Sequence, residues 1–226
     1  PPGFDGTPLR GGCSLGIHES QSRLWENFVG RSLPFWKAHF PYCQQLFPTQ
    51  LSGYGAEDFY RAVNVVRPSL IRVEADEVTY TLHIILRFEI EKALLTGDLK
   101  VADIPAMWNE KMQKYLGVVP PDHAHGCLQD IHWADGLIGY FPTYSLGNLV
   151  AAMLWESLRQ DLPDVEAQIE RGETGPLLLW LREKIHRHAS KFKPKQLLLK
   201  AIGKQLDFQP FMNYLERKFR PLYGLT

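Results

Sequence analysis

The sequence is poor in cysteine. Its three, Cys13, Cys43 and Cys127, are odd in number and widely spaced, and no C-x-x-C pair occurs. This argues against a disulfide framework and a cysteine-based zinc ribbon and fits a reducing compartment, the cytoplasm by default. There is no surplus of charge of either sign, with 25 Lys+Arg against 25 Asp+Glu. Composition therefore offers no basic surface for nucleic acid or an anionic membrane. No uninterrupted apolar run approaches the ~18 residues a membrane span needs. The opening "PPGFDGTPLRGG" has neither the basic nor the apolar region of a signal peptide. It also lacks an initiator methionine and reads as a Pro/Gly loop from within a chain. Repeats, low-complexity segments and the β–α alternation of a doubly wound sheet are missing too.

What is present reads as helix. With 226 residues and 45% hydrophobic content, the chain can bury a substantial core. Ile17, Gln21, Leu24, Trp25, Phe28 and Val29 recur at helical spacing, which predicts a helix over 15–29 ended by Pro34. A shorter helix is expected over 57–66, stopped at Arg67-Pro68. "SLIRVEADE" is β-branched enough for a strand or extended segment. The longest expected helix runs 75–95, with Val78, Leu82, Ile85 and Leu86 as its apolar stripe, Asp76 near its start and Gly97 past its end. Pro105 opens another, closed by Gly117. "YSLGNLVAAMLWESLRQDLP" is helical up to Pro163, and three or four short amphipathic helices follow to about Phe219. The fold class expected is mainly α, with at most a short β element near 70–73.

Several stretches offer chemistry. His18-Glu19 begins like the zinc-protease signature H-E-x-x-H, but the position of the second histidine holds Ser22. On pattern alone Glu19 belongs to a solvated helix face with Arg23 as partner. "GCSLG" matches G-x-S-x-G, a nucleophile elbow that needs a core strand before it. Proline and glycine stand where that strand would be, so Ser14 reads better as a helix cap. "GCLQDIHWADGLIGYFPTY" is denser. Gln129, Asp130, His132, Trp133, Tyr140 and Tyr144 interleave polar groups with aromatics among glycines, as a site would; a histidine bonded into a structural turn is the alternative. His123 and His125 form H-x-H, which could ligate a metal but reads as a mobile surface loop. His186 and His188, among lysines and arginines, read as solvated.

Four segments carry a resemblance. They are "GTPLRGGCSLGIHESQSRLWENFVGRSLPFW", "SLIRVEADEVTYTLHIILRFEIEKALLTGDL", "GCLQDIHWADGLIGYFPTYSLGNLVAAMLW" and "PFMNYLERKF". Together they resemble the C-terminal half of the carboxypeptidase Taq family of zinc metallocarboxypeptidases. "HESQSR" and G-x-x-Q-D-x-H-W, here Gly126 to Trp133, are the specific motifs. The resemblance implies an all-helical, two-lobed gluzincin body around a groove, of which residues 1–226 form one C-terminal portion. It makes Glu19 the third ligand of a catalytic zinc, or of cobalt in its place. The two histidine ligands and the general-base glutamate would come from an upstream H-E-x-x-H helix that this sequence does not contain. His132 and either Tyr140 or Tyr144 are implied as donors to the oxyanion. Arg72, with Gln129 and Asp130, is implied on the substrate side, Arg72 for the terminal carboxylate. Met153 stands where the family has glutamine.

The expected function is removal of C-terminal residues from peptides, with negligible activity and weak or no metal in this chain alone. Its implied partners are a peptide C-terminus, the missing N-terminal half and a second copy in a dimer. A non-catalytic remnant or subunit serving assembly or peptide binding is the alternative, and a serine hydrolase on Ser14 the third reading. Without the other half, Glu19, His132 and Tyr140 are expected to face solvent, and Leu15, Trp25 and Phe28 to lose part of their cover.

Overall fold

The computed structural model of the chain describes residues 2–225. Among them are ten α-helices and no strand: α1 (Leu15–Arg23), α2 (Leu33–Leu46), α3 (Ala56–Val63), α4 (Tyr80–Thr96), α5 (Ile104–Leu116), α6 (Pro142–Asp161), α7 (Val165–Glu170), α8 (Gly175–Lys184), α9 (Pro194–Ile202) and α10 (Gln209–Leu222). No helix among the described residues is long and apolar enough to cross a membrane.

Local chemistry explains the boundaries. Ser14 Oγ accepts the Ile17 N–H at 3.2 Å and caps α1. No strand precedes it, so the elbow reading of Ser14 is overturned. The 15–29 helix is interrupted: α1 passes at Leu24 into a π-helical segment, Leu24–Gly30. Its wider turn ends with Arg31 N donating to Glu26 O at 2.9 Å. A Cβ on Gly30 would lie 3.3 Å from Trp25 O, five residues back, so the tight end of that segment suits glycine. Pro34 does not end a helix. It lies in the first turn of α2, where Ser32 Oγ accepts the Phe35 N–H at 3.3 Å. A proline tolerated at a helix start carries no signal against the helix that follows it. Gly97 closes α4 with φ 83° and Gly117 closes α5 with φ 71°, both as expected.

The expected extended segment near 70–73 is a single 3-10 turn, Arg72–Glu74. The Arg72 N–H goes to a side chain, Gln129 Oε1 at 2.8 Å, where a strand would have sought a ladder. Asp76 finishes the turn before α4: its carboxylate accepts from the backbone of Arg67 (3.1 Å), Val78 (2.9 Å) and Thr79 (2.9 Å).

The chain forms two compact units, residues 65–145 and the remainder on either side of it. In the larger unit Leu24, Phe28 and Val29 pack with Met153, Leu154, Leu158, Leu177, Leu181, Leu197 and Phe211. Phe28 is not uncovered. It is 3% exposed and stacks near Tyr214 (4.0 Å between centroids) and Trp155 (5.6 Å), whereas Leu15 is 48% exposed. In the smaller unit Leu86, Ile90, Trp108, Met112 and Leu116 join α4 to α5, and Ala75, Tyr80, Ile84 and Phe141 form a second cluster.

Among the described residues one non-glycine position, Ala189, is strained. Ala189 has φ 47° and ψ −130°, a region open mainly to glycine. The next residue secures the turn: Ser190 N donates to Leu9 O at 3.1 Å. Ala189→Gly is expected to stabilise the protein by about 1 kcal/mol, since relief of strain outweighs the added freedom of the unfolded chain. Denaturant unfolding reads the change, and an unaltered or lower midpoint would refute it.

Candidate active-site residues

The His132 loop is built on α4. His83, Arg87 and Glu91 follow one another at four-residue spacing, and all are buried (0%, 0% and 3% exposed). The apolar stripe expected on α4 holds at Leu86, fully buried, and at Leu82, which packs against the same cluster, but Ile85 is 38% exposed, and this polar row points inward beside the stripe. A row of His, Arg and Glu reads from hydropathy as the solvated face. Its i, i+4, i+8 spacing was the available signal, and sequence reasoning passed over it.

Arg87 reaches Asp130 Oδ2 with Nε at 2.7 Å, Gln129 Oε1 at 2.8 Å and the His83 carbonyl at 2.8 Å. Its guanidinium lies over the Trp108 ring, 4.5 Å from the centroid. Arg72 takes the other oxygen of the same carboxylate, donating to Asp130 Oδ1 from Nε (2.9 Å) and from its terminal nitrogen (2.6 Å), and also reaches the Tyr80 hydroxyl (2.9 Å). Gln129 Nε2 donates to the carbonyls of Leu70, His125 and Gly126. Glu91 holds the next stretch, accepting from Trp133 Nε1 at 2.9 Å and Gly139 N at 3.2 Å. Thus Arg72, Gln129 and Asp130, all expected on the substrate side, meet in one cluster in which each is engaged with protein.

The charges follow from this packing. Burial alone would push the Asp130 carboxyl up, but Arg87 and Arg72 outweigh it and hold it below the ordinary value. Burial lowers Arg87 to about 10. His132 is 8% exposed, so it does not face solvent openly. Its Nε2 meets the Tyr144 hydroxyl at 2.9 Å, and its ring lies 4.4 Å from Phe141 and 5.3 Å from Tyr140 between centroids. Burial first, and the two arginines with it, lower its pKa against the pull of Asp130, which favours the neutral imidazole. Tyr140 and Tyr144 are half-buried.

Glu19 stands on α1 in the larger unit and is half-buried. Its Oε2 accepts from Ser22 Oγ at 3.3 Å, while Arg23 pairs with Glu26 at 3.1 Å. Gly147 of α6 sits against it: a Cβ there would lie 2.7 Å from Glu19 Cβ and 3.1 Å from its carbonyl carbon. Among the described residues no three His, Cys, Asp or Glu side chains gather to hold a metal ion. Glu19 is one oxygen donor, and the residues present do not complete a metal site. His125 of the H-x-H pair is tied to Asp122 at 2.8 Å on the surface. His186, expected to be solvated, is half-buried and bonded to Gln21 Oε1 at 2.9 Å.

Two outcomes are expected. Alanine at Gly147 gains ~1 kcal/mol of helix propensity but meets the overpacking cost of roughly 1–3 kcal/mol against unyielding backbone. Gly147→Ala should therefore destabilise by up to about 2 kcal/mol in denaturant, and a more stable variant would contradict the close packing. His83 has no hydrogen-bond partner for either ring nitrogen among the described residues. Its pKa is lowered from 6.5 to about 4 by burial and then by Arg87 and Arg72, against the pull of Asp130 and Asp76. Folding thus excludes a proton, and stability should fall as pH drops from 6.5 towards 4, by up to roughly 3 kcal/mol. His83→Leu orphans no hydrogen bond and should flatten this part of the profile without loss at pH 7. An unchanged slope, measured by urea unfolding across that range, would refute the assignment.

The chain is similar to known proteins over almost its whole length. Residues 1–219 match the family model described as carboxypeptidase Taq (M32) metallopeptidase. Thermostable carboxypeptidase 1 of Thermus thermophilus is 51% identical over 219 residues, 97% of this chain and 43% of that protein. Carboxypeptidase 1 of Bacillus subtilis is 47% identical, over 98% of this chain and 44% of its own length. The crystal structure of M32 carboxypeptidase from Deinococcus radiodurans R1 superposes with a TM-score of 0.95 at 45% identity, covering 98% of this chain and 45% of that one. The chain spans less than half the length of these relatives, and with this identity and coverage it belongs to the carboxypeptidase Taq (M32) metallopeptidase family.

Proposed function

We propose that this chain supplies part of the active site of a metal-dependent carboxypeptidase. The reading gives Glu19 the role of one metal ligand and His132 with Tyr140 and Tyr144 that of donors to the substrate carbonyl as it becomes an oxyanion. The observation that carries it is the buried His132 held against Tyr144 at 2.9 Å, on a loop fixed by the Arg72–Asp130–Arg87 network. Preorganised donors of this kind are worth most where water is excluded. Carboxylate and imidazole donors suit zinc. The remaining ligands and the water-activating carboxylate come, in this reading, from sequence outside these 226 residues. The substrate is a peptide presenting its C-terminal residue. Arg72, Gln129 and Asp130 hold the His132 loop here, because direct contact with substrate would require each to give up a buried protein partner. Three free thiols accord with a cytoplasmic setting.

The lack of a three-donor cluster among the described residues favours a second reading, a non-catalytic subunit that binds peptide or assembles without hydrolysing. One assay separates them. The chain is tested on a blocked dipeptide with zinc or cobalt, alone and mixed with the N-terminal portion of the Thermus thermophilus relative. Negligible turnover alone, restored in the mixture and lost again with Glu19→Ala, is the expected result. Turnover by the chain alone would show that the missing ligands lie within it. Hydrolysis in the mixture that ignores Glu19→Ala would remove Glu19 from the metal site, and a mixture that forms a complex without turnover would favour the subunit.

A further inference from the structure

We propose that Asp130 fixes the neutral imidazole of His132 as its Nδ1–H tautomer, so that Nε2 accepts the Tyr144 hydroxyl proton. The geometry carries it. His132 Nδ1 is buried, has no hydrogen-bond partner among the described residues and lies 3.9 Å from Asp130 Oδ1. A lone pair there would face a carboxylate in a low-dielectric pocket, whereas an N–H there points its positive end at the anion. That carboxylate cannot turn away, because Arg72 holds Oδ1 and Arg87 holds Oδ2. With the single ring proton on Nδ1, Nε2 is a bare acceptor, and the 2.9 Å contact to Tyr144 needs the phenol as donor.

The consequence divides the two tyrosines. The Tyr144 proton is committed to His132, while the Tyr140 hydroxyl donates to no residue among those described. Tyr140 is then the phenol available to a ligand's oxygen, and Tyr144 links the ligand side to the histidine. Asp130 is in this scheme a positioning residue. This division of the tyrosines rests on the function proposed above; the tautomer itself does not, and its test needs neither metal nor turnover.

The test is ring-nitrogen NMR of the whole 226-residue chain labelled with 15N-histidine, held above neutral pH, with the His132 signals identified by their loss in His132→Gln. A protonated, pyrrole-type Nδ1 and a pyridine-type Nε2, in more than tenfold excess over the other tautomer, are expected. The Nε2–H form in the wild-type chain overturns the proposal. Asp130→Asn should reduce the excess to a mixture, and an undiminished excess would remove Asp130 from the role. Should that variant fail to fold, Tyr144→Phe decides. Retention of Nδ1–H shows that Asp130 makes the choice, and a flip to Nε2–H shows that Tyr144 does.

Discussion

Asp130 sits between two guanidiniums, and the smaller unit is arranged around that one carboxylate. Arg72 comes from a turn, Arg87 from the middle of α4 and Asp130 from the loop after α5, so a single charge ties three segments that share no backbone ladder. The group is buried and carries one cation more than anion. Its surplus is spread over the Tyr80 hydroxyl, the Gln129 and His83 carbonyl oxygens and the faces of Trp108, Phe141 and Tyr144. Such clusters add little net stability compared with an apolar core, yet removing one member costs about 3–5 kcal/mol because it strands the others. What the arrangement provides is definition: one loop conformation in which His132 and Tyr144 meet.

The two units place their candidate residues by different means. In the smaller one, position is fixed by charge and hydrogen bonds, most of them to side chains. In the larger one, Glu19 is placed by contact. Ser20, fully buried, and Gly147 let α1 and α6 approach until backbone nearly touches backbone, and the π-helical turn beyond Arg23 rotates Asn27, Phe28 and Val29 inward together. The carboxylate is carried on the face of α1, and its one hydrogen-bond partner among the described residues is the Ser22 hydroxyl.

Much of this was legible in the sequence. Helix periods, Pro105, Gly97 and Gly117 located α4, α5 and α6, and the HES and G-x-x-Q-D-x-H-W motifs led to the right family. The misses share a cause. Pro34 was taken as a terminator because a proline's compatibility with a first turn is invisible until the helix beyond is known. "SLIRVEADE" was given extended character from its β-branched residues, while its backbone at Leu70 and Arg72 is in fact bonded to Gln129, a distant side chain that no window of neighbours weighs. The inward row on α4 was missed because hydropathy treats Arg and Glu as solvated, and only their partners, more than forty positions away in Asp130 and Trp133, reverse that. Gly147 was passed over as one glycine among eighteen; its meaning lies in what stands opposite.

The α4 row also acts as a ruler. Arg87 and Glu91 are one turn apart, about 5.4–6 Å along the axis, and the loop reaches them with Asp130 and Trp133, three residues apart. The interval from 130 to 133 is therefore gauged against a helix and cannot change length without losing an anchor. Between Trp133 and Gly139, where Glu91 takes hold again, the chain is free of that gauge: Ala134 to Ile138 are exposed. Divergence among related sequences has room at this tip, in length and in composition, while the four residues before it are bound to the pitch of an α-helix.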